Sequence, residues 1–357
     1  MTNDVRTTNG SSSSATNGST KPLIGISMGD PHGIGPEVIV KALADPELRA
    51  AARFAIFGMQ EPLDAAADLA EITPFWWREP YDGFARVGSG VLLADFDDLN
   101  VGRPTNERGA NESAGYASFR FLQEAVRHLR GNAIDALVTG PICKESWHLC
   151  NQRFAGHTDF LARTFETKRI AMAFVAGRLR VALVTDHIPL LELRNRFSIG
   201  MVHQPIDLLA RALHDWFGID QPHIGVLGLN PHAGENGLLG DDEQRIIEPA
   251  VQLARNGGIR VSGPIPADTA FTPDAIQRYD GIVAMYHDQG LIPVKMLAFH
   301  EAVNVTLGLP VIRTSPDHGT AFNIAGKNRA NPGSMTAAIR LAIQIALQRR
   351  AARSNGA

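Results

Sequence analysis

The sequence predicts an α/β protein with a largely parallel sheet, and two observations carry that prediction. Short apolar runs alternate with segments of helical period along 357 residues, and strand–helix alternation of this kind builds layered α/β architecture. The apolar runs also stop abruptly at small or polar residues, as strands do at loops. Residues 22–28 read as a strand running into the loop Gly29-Asp30-Pro31. Residues 36–44 open a helix with proline at its first position, where no amide hydrogen is missed. Residues 53–58 form the second strand, residues 111–130 have apolar positions at helical spacing, and residues 134–140 form a buried strand ending at Gly140-Pro141. Further strands fit 170–176, 179–185, 223–229 and 281–286, with helices over 204–217, 241–256 and 334–352. Ligands in such sheets bind beyond the carboxyl ends of strands. Those ends carry the unusual residues: Met28-Gly29-Asp30, Thr139-Gly140-Pro141, Thr185-Asp186-His187, Asn230-Pro231-His232 and Tyr286-His287-Asp288.

Composition narrows the function classes. A formal net charge of -3 gives no electrostatic footprint for nucleic acid or an anionic membrane. No apolar run approaches the roughly 18 residues of a membrane-spanning helix. Two cysteines, Cys143 and Cys150, make no disulfide framework and match no zinc or redox motif, so a cytoplasmic address is expected. Residues 1–20, rich in Ser, Thr, Asn and Gly, lack an apolar signal core and read as a disordered tail. The first loop, GDPHGIG, has the wrong glycine spacing for a Rossmann dinucleotide turn, and no phosphate-binding P-loop, G-x-S-x-G or H-E-x-x-H motif occurs.

Two constellations carry chemistry. His187, His232 and His287 each follow an apolar strand, so three imidazoles are positioned to converge at a sheet rim. Neutral imidazole is the commonest ligand for zinc-like ions, and three ligands leave a coordination position for substrate. His128, His148, His203, His214 and His300 sit in segments that read as helix or loop surface and are taken as structural. Lys295, Asn304 and Arg313 punctuate a stretch of strand-like apolar residues. Buried cations need an anionic partner, either a phosphate or carboxylate ligand or internal acids such as Asp288 and Glu301, and the sequence leaves both readings open.

The segments SMGDPHGIGPEV, GHTDFLA, TDHIPL, LNPHAGENGLLGDDE, GPIPADTAF, AMYHDQGLIPVK and VNVTLGLPVIRTSPDHGTAFNIAG together resemble the 4-hydroxythreonine-4-phosphate dehydrogenase family of vitamin B6 biosynthesis, from about Ile24 to Ala346. The resemblance implies an isocitrate/isopropylmalate dehydrogenase-like α/β fold, two domains around a central cleft and not a Rossmann fold. The expected division is 21–140 together with 281–352 in one domain and 141–280, with dimer contacts, in the other. It implies a homodimer holding a divalent metal on His187, His232 and His287, the ligands shared between subunits. Zinc, cobalt, magnesium and manganese all suit that set. By the same resemblance His157, Thr158, Lys295, Asn304 and Arg313 bind substrate, while Gly319, Thr320 and Asn331 belong to the loop that binds the adenosine of NAD, with NADP as the alternative. This chain departs from the family pattern at His32, Asp159 and Asp186 and in residues 141–151, where substrate preference is the property at stake.

The implied reaction is NAD-dependent oxidation of 4-phosphooxy-L-threonine at C3, followed by decarboxylation to 3-amino-2-oxopropyl phosphate. Lys295 and Arg313 would hold the phosphate, and Asp268 and Asp288 are candidates for proton handling or for orienting a metal ligand, or simply for capping. The same chemistry on D-threonate or D-erythronate 4-phosphate is the nearest alternative. A cis-dihydrodiol substrate is a further one, although it has no use for a phosphate clamp.

Overall fold

The computed structural model describes residues 21–83, 87–102 and 108–355; the expected tail, 1–20, lies outside them. The strands are β1 (Leu23–Ser27), β2 (Arg53–Gly58), β3 (Trp76–Pro80), β4 (Val91–Asp95), β5 (Ala136–Thr139), β6 (Ala171–Ala176), β7 (Leu179–Leu183), β8 (Ile224–Leu227), β9 (Val261–Ile265), β10 (Gly281–Ala284), β11 (Val303–Leu307) and β12 (Arg313–Pro316). They form one twelve-stranded sheet in the order β3-β4-β2-β1-β5-β12-β11-β6-β7-β10-β8-β9. β1, β2, β3, β4, β5 and β12 are mutually parallel. β7, β8, β9 and β10 form a second parallel set. β11 and β6 join the two sets through antiparallel pairings, so the second set runs opposite to the first.

Burial follows from that topology. β1, β4, β5, β8, β10 and β12 are buried along their whole length, as strands covered on both faces must be. The helix Glu112–Arg130 packs on β1, β2 and β5, while the long helix Gly333–Asn355 packs on β12, β5 and β11. Capping is legible in the residues: Asn111 accepts from the Ala114 amide and Ser198 from the Met201 amide. His128, expected on the surface, is instead buried on the Glu112–Arg130 helix, with Nε2 3.1 Å from Glu124 Oε1.

The first loop is locked against the end of β5. The Asp30 amide donates to the Pro141 carbonyl at 2.8 Å and the Gly140 amide to the Ser27 carbonyl at 2.8 Å. Gly29 has φ 79°, and a Cβ there would lie 2.3 Å from the Pro141 oxygen, so both backbone sterics and the close approach require glycine. Gly29→Ala is expected to destabilise the fold by about 2 kcal/mol or more, read from urea unfolding midpoints. An unchanged midpoint would mean that the two loops are not locked together.

Candidate active site

Arg313 opens β12, buried to 4% exposure between β5 and β11. Its rung pairs with Leu137 of β5, and its side chain runs two residues further to Thr139 at that strand's carboxyl end. Nε and Nη2 donate to Thr139 Oγ1 at 3.1 and 2.7 Å, and Nη1 donates to Asn304 Oδ1 at 3.2 Å and to Thr306 Oγ1 at 3.4 Å. Every acceptor is neutral, and no carboxylate pairs with Arg313 among the described residues. Burial alone accordingly pushes the guanidinium down to about 10. Of the two readings left open by the sequence, internal acid pairing fails at Arg313. A buried charge that keeps only neutral acceptors is poised for an anion.

His157 and Lys144 complete this corner. Gly156, with φ 147°, precedes the helix His157–Thr164, which begins with His157 and the half-buried Thr158. Burial holds His157 well below the ordinary histidine value, with the charges of Arg313 and Lys144 acting in the same direction. Its Nε2 is buried without a hydrogen-bond partner. Lys144 Cε lies 3.5 Å from where a Gly156 Cβ would stand, so the lysine stem covers the GHT turn. Lys144 and Thr139 were not singled out as binding residues from the sequence. The signal for Thr139 was its place at a strand end, while Lys144 sits in a segment with no motif of its own.

Lys295 departs from its strand-like reading. It lies in the last turn of the helix His287–Ala298 and pairs with Asp317 Oδ2 at 3.5 Å, not with Asp288 or Glu301. Asp317 is raised by burial, an effect opposed by Lys295, His318 and His287. Asp317 therefore senses both ends of that helix.

His287 is the first residue of the same helix, three residues beyond β10, and His187 lies four residues beyond β7. β7 and β10 pair in parallel, and Thr185 Oγ1 donates to the Met285 carbonyl at 2.8 Å, which ties their ends together. The rings of His187 and His287 consequently meet, centroids 5.7 Å apart. His287 Nδ1 is 2.6 Å from Asp288 Oδ1 and His187 Nδ1 3.7 Å from Asp186 Oδ2. The Asp288 carboxylate on His287 Nδ1 leaves Nε2 of that ring as the ligating atom, the arrangement that orients histidine ligands, whereas Asp186 accepts from the His187 amide.

His232 follows β8, the next strand over, on a strained turn. Residues 232–236 are all left-handed, with φ between 43° and 78°. Each of the four non-glycine residues costs roughly 1–2 kcal/mol in that region. The buried Glu243 holds the turn's entry, accepting from the Leu229 and Asn230 amides at 2.7 Å each and from Asn230 Nδ2 at 2.9 Å. Gln289 connects it to the His287 helix by donating to the Gly228 carbonyl at 2.8 Å. His232 Nδ1 lies 3.3 Å from Glu235 Oε2. Among the described residues, no group of three or more His, Cys, Asp or Glu side chains is close enough to hold a metal ion within one chain. One subunit thus assembles two of the three expected imidazoles. Asp268 is exposed beyond β9, and Asp288 is the acid on His287.

Of the expected nucleotide residues, Thr320 lies against the first loop. The Thr320 carbonyl accepts from the Ile34 amide at 3.0 Å, Gly319 is exposed, and Asn331 Oδ1 accepts from the Gly333 amide at 2.8 Å. A cavity of about 600 Å³ opens beside them, lined by His32, Gly33, Glu37, Arg108 and Gly326 among others.

The site defines an α/β protein with an uncompensated guanidinium at strand ends, a group whose chemistry suits a small anion. Comparison with known proteins gives that class a family. A family model described as pyridoxal phosphate biosynthetic protein PdxA matches residues 52–342. The chain is 43% identical to a 4-hydroxythreonine-4-phosphate dehydrogenase of Desulforapulum autotrophicum, covering 90% of this chain and 95% of that protein. It is 45% identical to a D-threonate 4-phosphate dehydrogenase of Cupriavidus necator, covering 92% and 98%. The crystal structure of the Klebsiella pneumoniae 4-hydroxythreonine-4-phosphate dehydrogenase superposes with a TM-score of 0.79 at 38% identity, covering 91% of this chain and 100% of that one. The chain belongs to the PdxA family of pyridoxal phosphate biosynthetic proteins. Its relatives are named dehydrogenases, which makes the family one of oxidoreductases.

Two expected outcomes test the anion corner. Inorganic phosphate raises the melting temperature of the wild type by mass action, whereas Arg313→Met keeps a wild-type or higher melting temperature without phosphate and loses the shift. An equal shift in both proteins would remove Arg313 from anion binding. The second outcome concerns pH. His157 is neutral in the fold and protonates near 6.5 when unfolded, so the unfolded state takes up a proton on acidification and stability falls as pH drops through that value. Between about pH 7.5 and 5.5 the wild type should therefore lose more stability than His157→Gln in urea titrations. Parallel losses in the two proteins would mean that His157 is not held neutral.

Proposed function

We propose that this chain is an NAD-dependent oxidoreductase that oxidises 4-phosphooxy-L-threonine at C3 and yields 3-amino-2-oxopropyl phosphate after loss of carbon dioxide. The buried Arg313 without an acidic partner carries the reading, because a phosphate is the dianion that its free valence suits. Arg313, Asn304, His157 and Thr158 take the phosphate end, with Lys144 and Lys295 at the mouth. Held there, a non-reacting phosphate fixes the distance of C3 from the histidine rim, which converts remote binding energy into orientation. The neutral His157 offers Nε2 as a hydrogen-bonding group without adding a third buried charge.

A divalent ion suits the donor chemistry of His187 and His287, and His232 completes the set across a homodimer interface. The ion, if bound, would supply Lewis acidity at the C3 hydroxyl, and a bound dinucleotide would supply the oxidant. Asp288 holds the tautomer of His287, and Asp268, three residues beyond β9, is the candidate for proton handling. Gly319, Thr320 and Asn331 border the dinucleotide.

Exposed apolar side chains beside each histidine support the dimer. Leu191 is 92% exposed after His187, Leu238 82% exposed after His232, and Met296 81% exposed on the His287 helix. Surfaces of that kind are ordinarily covered by a partner. A cytoplasmic setting accords with two free cysteines, and no helix among the described residues is long and apolar enough to cross a membrane.

A second reading has its own observation: the relative named for D-threonate 4-phosphate is as similar as those named for 4-hydroxythreonine 4-phosphate. Both substrates present a 4-phosphate, so Arg313 serves either. The test follows NADH absorbance with purified protein, NAD and each of 4-phosphooxy-L-threonine, D-threonate 4-phosphate and D-erythronate 4-phosphate, with chelator and with zinc restored. The expected result is chelator-sensitive reduction, fastest on the amino acid. Faster turnover of a sugar-acid phosphate would transfer the assignment to that substrate, and no reduction on any of them would overturn both readings.

A further inference from the structure

We propose that a second small-molecule site lies between β7, β11 and the helix Gly333–Asn355, and that it takes an α-amino acid with an apolar side chain. The inference is independent of the catalytic reading above. A cavity of about 450 Å³ opens there, lined by Arg180, Phe217, Glu301 and Arg340 among others. Arg180 is the second residue of β7, and His187 lies beyond the other end of that strand, so the cavity sits away from the histidine rim.

Arg180 carries the argument. Its half-buried guanidinium stacks on Phe217, with Cζ 4.1 Å from the ring centroid. Nη1 donates to the Arg178 and Asp280 carbonyls at 3.3 and 3.2 Å. Nε is sealed in without a partner and is no ligand contact, whereas Nη2 has no partner and stays accessible. No carboxylate lies within ion-pair distance of Arg180 among the described residues. Burial lowers the group below the ordinary arginine value, opposed by the charge of Asp280 and reinforced by that of Arg178. A half-buried cation with one accessible, unused donor suits a carboxylate.

The other charges on the lining select the ligand. Arg340, exposed on its helix, commits Nη2 to Asp45 Oδ2 at 3.2 Å and keeps Nε and Nη1 unpaired. Glu301 is exposed and has no cationic partner among the described residues, so neither arginine of the cavity reaches it. Opposite charges that share a cavity without meeting are bridged by a dipolar molecule, its carboxylate on the arginines and its ammonium on Glu301. Glu301 disfavours a bare phosphate, which separates this cavity from the Arg313 corner. Val175, Val303 and Leu341 also line it and suit an aliphatic side chain. The cavity backs onto the phosphate corner through Ser334, which lies between the lining residues Gly333 and Thr336. Ser334 Oγ donates to the Ala302 carbonyl at 2.7 Å and accepts from the amide of Asp317, the partner of Lys295, at 2.9 Å.

The experiment is calorimetric titration of the full-length protein with L-leucine, with L-leucinamide, which lacks the carboxylate, and with 4-methylpentanoate, which lacks the ammonium. L-leucine is expected to bind with a Kd of about 1 mM or tighter, and each analogue about tenfold more weakly. Arg180→Met and Glu301→Gln are each expected to weaken L-leucine about tenfold, with 4-methylpentanoate not weakened by Glu301→Gln. Gln344→Trp, at an exposed position on the cavity wall, is expected to abolish binding by filling the space. Glu301 and Gln344 are both exposed, so their variants keep the test decisive even where Arg180→Met fails to fold. Arg313→Met is expected to bind L-leucine as the wild type does. No heat with L-leucine overturns the proposal, as does affinity undiminished by Glu301→Gln or by Gln344→Trp. Equal binding of L-leucine and 4-methylpentanoate overturns the dipolar class, and loss of binding in Arg313→Met moves the amino acid to the phosphate corner and overturns the second site.

Discussion

A guanidinium buried without a counter-charge is the constraint around which the rest of this structure is arranged. Arg313 stands where β12 pairs in parallel with β5 and antiparallel with β11, and only that junction puts Thr139 on one side and Asn304 and Thr306 on the other. These neutral acceptors satisfy some of its donors and leave the charge itself unmatched. An acid at Thr139 or Thr306 would quench the site from within. The nearby acid, Asp317, is instead taken up by Lys295. Keeping His157 neutral belongs to the same logic, since a third positive group in that corner would raise the cost of the unliganded fold.

The helix His287–Ala298 couples this corner to the histidine rim. One end carries His287, paired in space with His187, and the other carries Lys295, which reaches Asp317 just beyond β12. A single rigid element therefore sets the separation between the group that suits a metal and the groups that suit a phosphate. The second parallel set of strands runs opposite to the first, so that link cannot come from neighbouring loops at one sheet edge, and a helix spanning the turn supplies it.

Much of this was legible in the residues, and the exceptions have physical causes. The seven strands read from apolar runs are present, and strand-end positions selected His187, His287, Thr139 and the first loop. The helix His287–Ala298 was read as strand-like because its exposed face is apolar at Ile292, Met296 and Leu297, which erases the polar half of a helical period, and because Pro293 lies inside it. β3 hid for the opposite reason: Trp76–Pro80 is an edge strand with charges and a proline. Nothing in a linear pattern foretells the left-handed run at 232–236, because only the buried Glu243 beneath it makes such a backbone affordable.

The proposed division of labour in the site accommodates either of the substrates for which relatives are named. Both names carry a 4-phosphate, and the Arg313 corner reads that group alone. On the proposed reading, discrimination between an amino and a hydroxyl substituent at C2 would fall at the opposite end, on the His187–His287 rim and the turn that carries His232. His187 and His232 are exposed and His287 is half-buried in the single chain, and exposed leucines follow the first two at Leu191 and Leu238. On the proposed reading, a site anchored in a buried corner and completed by a second copy would change substrate through surface residues while its core stays fixed. Asp186, beside His187 on that rim, is where this chain already departs from the family pattern.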